Sequence, residues 1–373
     1  MIKKLVFSLA AFSLFTITSI PLTQADSIRP DPIMEPAQNV GKYNSYYQFK
    51  MDKYSIYKLT DEKDDPYYYD FRNGKSVEEL LQSPSVKYDE NEMPMVKIGD
   101  KYYYHPVRTA QEALYYINSY KQLGKPEHLE KARKLSAHLV KLSISPNTSL
   151  YFAYPFEYHV LSRPEETLSS PWYSGMSQGQ ALSVFTRMYE VTKEATYLQW
   201  ANQTFESFLK INKSMSEDKP WVTATDEKSY LWFEEYPTET KIKHVHVLNG
   251  FIFAMYGIYD YYKLTNVPDA KNYLFGSLTT LQAYGDRFRL PGQKSYYALK
   301  YNNTAGNYHN VHIRQLRQLY KITKDTRFNE MADRFYLDTA ITESKGLKGF
   351  QDDAKDLNSY FTPKEIQMLL NQK

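Results

Sequence analysis

Cysteine is absent from all 373 residues. No disulfide can brace the fold, no thiolate is available as nucleophile or metal ligand, and a lipid anchor on cysteine is excluded. Net charge is nearly absent as well: 46 Lys and Arg stand against 43 Asp and Glu, for a balance of +3. That does not argue for nucleic acid as a partner, although it leaves room for a local basic groove. Beyond Ala25 no apolar run approaches the length of a membrane span. A glycine-rich phosphate loop and a nucleophilic-serine elbow are also missing.

Tyrosine is what the chain has in excess, 36 residues against 19 Phe and 4 Trp. Most are expected to stand in for Phe in the core. The remainder suits carbohydrate, because a phenol offers a flat apolar face and a hydroxyl together. The first residues read as a secretory signal, residues 1–25: Lys3 and Lys4, an apolar stretch over 5–20, then Thr23-Gln24-Ala25. The mature chain is therefore expected to begin near Asp26, outside the cytoplasm and without a stable membrane anchor.

Residues 26–104 read as an extended, β-containing region. Short strands are expected at 46–49 and 54–57, an acidic turn at 61–65, and a hairpin around Gly99-Asp100. From His105 to 345 the pattern is helical and recurs. Tyr120 leads to a break at Gly124, Tyr189 to one at Lys193, Tyr262 to one at Asn266, and Tyr320 to one at Lys324. Apolar stripes at helical spacing follow each break, such as Leu129, Ala132, Leu135 and Leu139, or Leu198, Ala201, Phe205 and Phe208. Four helical hairpins joined by long excursions (145–173, 214–240 and 285–307) predict a mainly α fold. We expect an (α/α) toroid of helical hairpins with a small β-containing N-terminal region and a C-terminal tail, 346–373, holding a short helix. The excursions would roof one open end, where a ligand binds. Ser174 is expected to cap a helix whose Gly175 and Gly179 admit another backbone or a ligand.

Three segments near those loops set a phenol beside a charge or an imidazole: Glu234-Glu235-Tyr236, Tyr296-Tyr297-Ala298-Leu299-Lys300, and Tyr308-His309-Asn310-Val311-His312. Together with Trp172-Tyr173-Ser174-Gly175-Met176-Ser177-Gln178 and Val247-Leu248-Asn249-Gly250, they occur in an order that resembles the D-glucuronyl C5-epimerase catalytic domain. The resemblance covers about 102–345. It implies inversion at C5 of D-glucuronic acid units to L-iduronic acid in a heparosan-like polysaccharide. It further implies that Tyr236, Tyr297 and Tyr308 are catalytic, with Glu235 beside them. This sequence departs from the family at Ala298, where the family has aspartate, and at Lys300, where it has arginine.

Epimerisation at C5 needs acid/base groups on both faces of the sugar and positive charge or donors at the carboxylate. A phenol can serve if nearby cations lower its pKa, and Lys300, His309, His312, Arg314 and Arg317 cluster in sequence around Tyr297 and Tyr308. Lys300 is the expected carboxylate anchor. Asn249, Gln178, His309 and Arg314 are further substrate-binding candidates, and Trp172 and Tyr173 are candidates to stack on a sugar ring. His244-x-His246 and His309-x-x-His312 lack an acidic companion, so no metal and no cofactor are expected. The expected partner is an acidic polysaccharide; nucleic acid is not, and a homodimer is left open. Two rivals stay open at this point: an α/α-toroid lyase of uronic-acid chains, which begins with the same proton abstraction, and an inactive glycan-binding protein.

Overall fold

The computed structural model describes residues 43–44, 48–59, 61–146, 148–212, 220–238 and 244–343. The signal sequence and the tail 346–373 lie outside the described residues, as do 214–219 and 239–240 of the excursion 214–240. A short helix, α1 (Val77–Leu81), is followed by four helical hairpins. They are α2 (Pro106–Leu123) with α3 (Pro126–Lys141), α4 (Gly175–Thr192) with α5 (Ala195–Leu209), α6 (Leu248–Thr265) with α7 (Pro268–Tyr284), and α8 (Tyr308–Thr323) with α9 (Thr326–Glu343).

The four breaks are one device used four times. Gly124, Lys193, Asn266 and Lys324 all take the left-handed conformation, with φ of 67°, 60°, 56° and 57°. Each returns its N–H to the carbonyl of the tyrosine four residues earlier: Tyr120, Tyr189, Tyr262 and Tyr320. This satisfies an orphan carbonyl at the helix end and turns the chain into the next helix. Two of the following helices start on Pro126 and Pro268, whose missing N–H costs nothing there.

The first helices of the hairpins form the inner row, α2 against α4, α4 against α6 and α6 against α8, and the second helices lie outside. This is the (α/α) toroid. The expected stripes face inward: Ala132, Leu135 and Leu139, then Ala201, Phe205 and Phe208, and then Phe328, Met331 and Phe335 are buried. The closest approach is between α4 and α6. A Cβ on Gly179 would lie 2.3 Å from Ala254 Cα, and one on Gly257 2.1 Å from the Gly179 carbonyl. Of the two readings of Gly179, a backbone is therefore what it admits. Gly179→Ala is expected to cost about 3 kcal/mol or more in urea unfolding, because a backbone cannot step aside as a side chain can. A loss below about 0.5 kcal/mol would mean the two helices separate freely.

The N-terminal region contains the antiparallel sheet β3 (Val86–Tyr88), β4 (Pro94–Ile98) and β5 (Lys101–Tyr104), with the hairpin turning at Gly99, φ 60°. Strand β2 (Phe49–Lys50) pairs with β1 (Tyr43–Asn44). The strand expected at 54–57 is not one. That segment runs under the toroid, and Tyr57 gives its N–H to the Ile322 carbonyl at the end of α8. The chain then touches the C-terminal half of every inner helix. Tyr259 of α6 donates to the Tyr57 carbonyl, and Lys321 of α8 pairs with Asp64 at 2.8 Å. Arg187 of α4 holds Asp65 at 2.6 Å, and Asn118 of α2 binds the Tyr67 carbonyl. Residues 57–59 and 61–69 thus close one end of the toroid and leave the other, where the inner helices begin, to the loops.

Candidate active site

At the loop end the helix starts His105, Ser174, Val247 and Asn307 face the excursions. Four helix N-termini carry partial positive charge, so this end favours an anion. Strand β8 (Leu231–Phe233), which pairs with β7 (Thr223–Thr225), delivers the carboxylates. Beyond it, the Glu234 carbonyl accepts the Gly175 N–H at 2.7 Å. A Cβ on Gly175 would sit 2.8 Å from that oxygen, so the first glycine of α4 also admits a backbone. Ser174 stands at the cap position without a side-chain bond to the helix.

Glu234 and Glu235 are adjacent and buried, yet they diverge. Burial pushes Glu234 up, but the charge of His246 and its two hydrogen bonds, from the backbone N–H at 3.1 Å and Nδ1 at 2.5 Å, more than offset this. Its carboxyl is held below the ordinary range. Glu235 has no such cation. Burial raises its carboxyl to about 7, despite bonds from Tyr236, Tyr297 and the Gly250 N–H. Its Oε2 accepts from Asn249 Nδ2 at 3.3 Å. It rests on the first turn of α6 at a place only glycine leaves open: a Cβ on Gly250 would be 2.1 Å from Oε2. Two carboxyls pushed apart in this way are a mark of divided acid and base roles.

The three phenols converge here from distant parts of the chain. Tyr297 donates to Glu235 Oε1 at 3.0 Å, and the Tyr236 hydroxyl lies 3.3 Å from that of Tyr297. Either phenol can donate in that contact, and Tyr236 also reaches the Glu235 carboxyl. The Tyr308 ring is 5.5 Å from that of Tyr297 and is 46% exposed, the most open of the three. Glu235, Tyr236 and Tyr308 line a cavity of about 850 Å³, with Tyr297 behind them. The expectation that cations lower these phenols is corrected. Burial, and then the Glu235 charge, push Tyr236, Tyr297 and Tyr308 up.

Of the cations named from the sequence, Arg314 and Arg317 line the cavity, and Lys300, His309 and His312 do not. Lys300, expected at the substrate carboxylate, is paired with Glu166, which is almost fully buried and also accepts from Tyr301. Arg163 lies over the Tyr301 ring at 4.0 Å, so this pairing pins the 158–168 and 296–304 loops together and keeps Lys300 off the cavity wall. His309 is consumed by the Ser295 N–H at 2.9 Å and the Phe335 carbonyl at 3.1 Å. His312 bonds Ser295 Oγ at 2.8 Å, and burial drops it to about 3, so it is neutral. Gln178 spends its amide on Phe152, Leu150 and Ser207. Tyr173 packs edge-on against Tyr151 in the core, and Asn249 supports Glu235. Gln178, His309, Tyr173 and Asn249 are thus packing and positioning residues, not wall residues. Trp172 does line the cavity, stacked on Tyr154 at 3.8 Å, and so does Arg314, which is exposed. Ala298 pairs its backbone with Val247 among apolar neighbours, where an aspartate would lack a partner. Among the described residues no group of three or more His, Asp or Glu could hold a metal ion.

Among the wall residues that the sequence did not single out, Tyr158 and His105 stand next to the phenols. Tyr158, in β6 (Tyr158–His159), stacks on Tyr236 at 5.6 Å and on Trp172 at 5.9 Å. It brings a fourth phenol, and only its place at the end of an aromatic run hinted at this. His105 caps α2, its Nδ1 accepting the Arg108 N–H at 3.3 Å, which leaves the ring proton on Nε2. Burial lowers its pKa to about 4, so it offers a neutral donor. Its position just before Pro106 was the available signal.

Fold and site together define a helical toroid whose open end gathers one elevated carboxyl and several phenols. Residues 146–336 match the family described as D-glucuronyl C5-epimerase C-terminus, and the chain belongs to that family. It is 27% identical over 183 residues to the D-glucuronyl C5-epimerase of Caenorhabditis elegans, covering 44% of this chain and 28% of that protein. It is 29% identical over 178 residues to an uncharacterized protein of Methanocaldococcus jannaschii, covering 48% of this chain and 54% of that one. The match therefore spans only part of each relative's length. Among solved structures, cellobiose 2-epimerase from Bacillus thermoamylovorans aligns with a TM-score of 0.46 at 16% identity, over 71% of this chain and 68% of that one.

Proposed function

We propose that this protein is an exported epimerase that inverts C5 of D-glucuronic acid units in a heparosan-like chain, giving L-iduronic acid. The observation that carries the reading is the Glu235–Tyr297–Tyr236 series, whose two ends both meet the cavity with Tyr297 behind them. A phenol raised by burial is a poor base alone. Linked to a carboxylate near 7, it becomes a proton conductor. As the C5–H bond breaks, its proton passes to the Tyr236 oxygen, the Tyr236 proton to Tyr297, and the Tyr297 proton to Glu235. The electron pair is held on C5 and delocalised into the substrate carboxylate, facing the helix N-termini and the His105 Nε2–H. Tyr308 returns a proton to the opposite face and is recharged from solvent, to which Glu235 finally gives up its own. Protons and charge balance, and no redox partner enters.

The test is incubation with heparosan in heavy water. Deuterium should appear at C5 with chain length unchanged, at a rate that climbs as pH passes about 7, because Glu235 must be ionised to accept. Unsaturated, ultraviolet-absorbing ends would reassign the protein to the lyases. Binding without deuterium incorporation would make it a glycan-binding protein.

A further inference from the structure

The cavity does not end at the tyrosines. It continues down the inner face of α8 from Tyr308 past Arg314 to Lys321, about 20 Å at ~1.5 Å per residue, towards the crossing segment at Tyr68. Its polar groups in this stretch are not used by the mechanism above. Gln180 of α4 lines it, is fully buried, and has no partner for either amide atom. Gln315 of α8 also lines it and is 4% exposed. Its Nε2 serves the Asn249 carbonyl at 3.0 Å, but its Oε1 has no partner. A buried amide left unpaired costs roughly 1–3 kcal/mol, so the site is built for a group that completes it.

The charges on the same wall are sorted. Arg317 is neutralised by Asp333 at 3.0 Å and Lys321 by Asp64 at 2.8 Å. Arg314, one residue before Gln315, lines the cavity and has no carboxylate partner among the described residues. A guanidinium with its fork free, on the same wall as one unpaired and one half-paired amide, matches a carboxylate on a ring rich in hydroxyls.

We propose that this stretch is a second saccharide subsite. Arg314 binds the carboxylate of another uronate on the same chain, and Gln180 and Gln315 bind hydroxyls there. The inference rests on the reading that the cavity takes a uronic-acid chain. Calorimetry with a heparosan octasaccharide and a disaccharide, for wild type, Arg314→Gln and Gln180→Met, separates the two ideas. Arg314→Gln should weaken octasaccharide binding about tenfold, leave the disaccharide unchanged, and raise KM without lowering kcat. Gln180→Met should also weaken the octasaccharide while melting no earlier than wild type, since no bond within the protein is lost; a purely structural role would lower its melting point. Wild-type octasaccharide affinity in both variants, or no octasaccharide binding by the wild type, overturns the subsite. If Arg314→Gln weakens binding but the wild type exchanges no C5 hydrogen, the subsite stands and the epimerase reading falls.

Discussion

Tyr297→Phe is expected to cut C5 deuterium incorporation by about 10²–10⁴-fold, the range for losing a general acid/base contact. The substitution keeps the ring, and with it the contact to Tyr308 and the packing among Trp172, Val247 and Ala298. It removes only the oxygen that stands 3.0 Å from Glu235 and 3.3 Å from the Tyr236 hydroxyl. Because Tyr297 lies behind the wall, KM should change little and the loss should fall on kcat. Tyr236→Phe should cost a similar factor, and the double variant little more than either alone, since a broken series is not broken further by a second gap. Near-normal incorporation in Tyr297→Phe would sink the proton series, and additive losses would mean the two phenols act separately.

Glu235→Gln should abolish exchange and stabilise the protein at the same time. The carboxyl is raised from its ordinary 4.5 to about 7 by burial. Between those values the unfolded chain has released this proton and the folded chain still holds it. The unfolded state binds fewer protons, so this group's contribution makes stability fall as pH rises from about 4.5 to about 7, and it is constant above. At ~1.4 kcal/mol per pH unit the cost is on the order of 3 kcal/mol at pH 8, and under about 1 kcal/mol at pH 5. Glutamine keeps the shape without the charge. Its oxygen can face Asn249 and Gly250 while its amide donates to Tyr297. Urea unfolding should therefore show Glu235→Gln more stable than wild type at pH 8, with the gap closing towards pH 5. Equal stability at both values would mean the carboxylate is not strained in the fold. Sites that store such a cost are where stability and activity oppose each other.

The hairpin order of the toroid was open to a reader of the sequence, because its causes are local. A tyrosine, three residues and a left-handed break recur at Gly124, Lys193, Asn266 and Lys324, and apolar residues at helical spacing follow. Helix ends are set within a turn of the chain, so a linear reading finds them. The same holds for the turn at Gly99 and for the phenols themselves, whose motifs could be matched in order. What the chain could not show by itself was which groups those phenols meet. Lys300 follows Tyr297 closely in sequence, yet its charge is spent on Glu166, more than a hundred residues away, about 134 by position. Glu234 and Glu235 look alike in the sequence, and only the placement of His246 beside one and of buried phenols beside the other drives their carboxyls apart. Tyr158 and His105 joined the cavity wall, and residues 54–57 left their expected strand, for the same reason. Burial, charge pairing and pKa depend on neighbours brought together through the fold, and these were decided only when the tertiary structure packed the phenols around Glu235 and set His246 against Glu234.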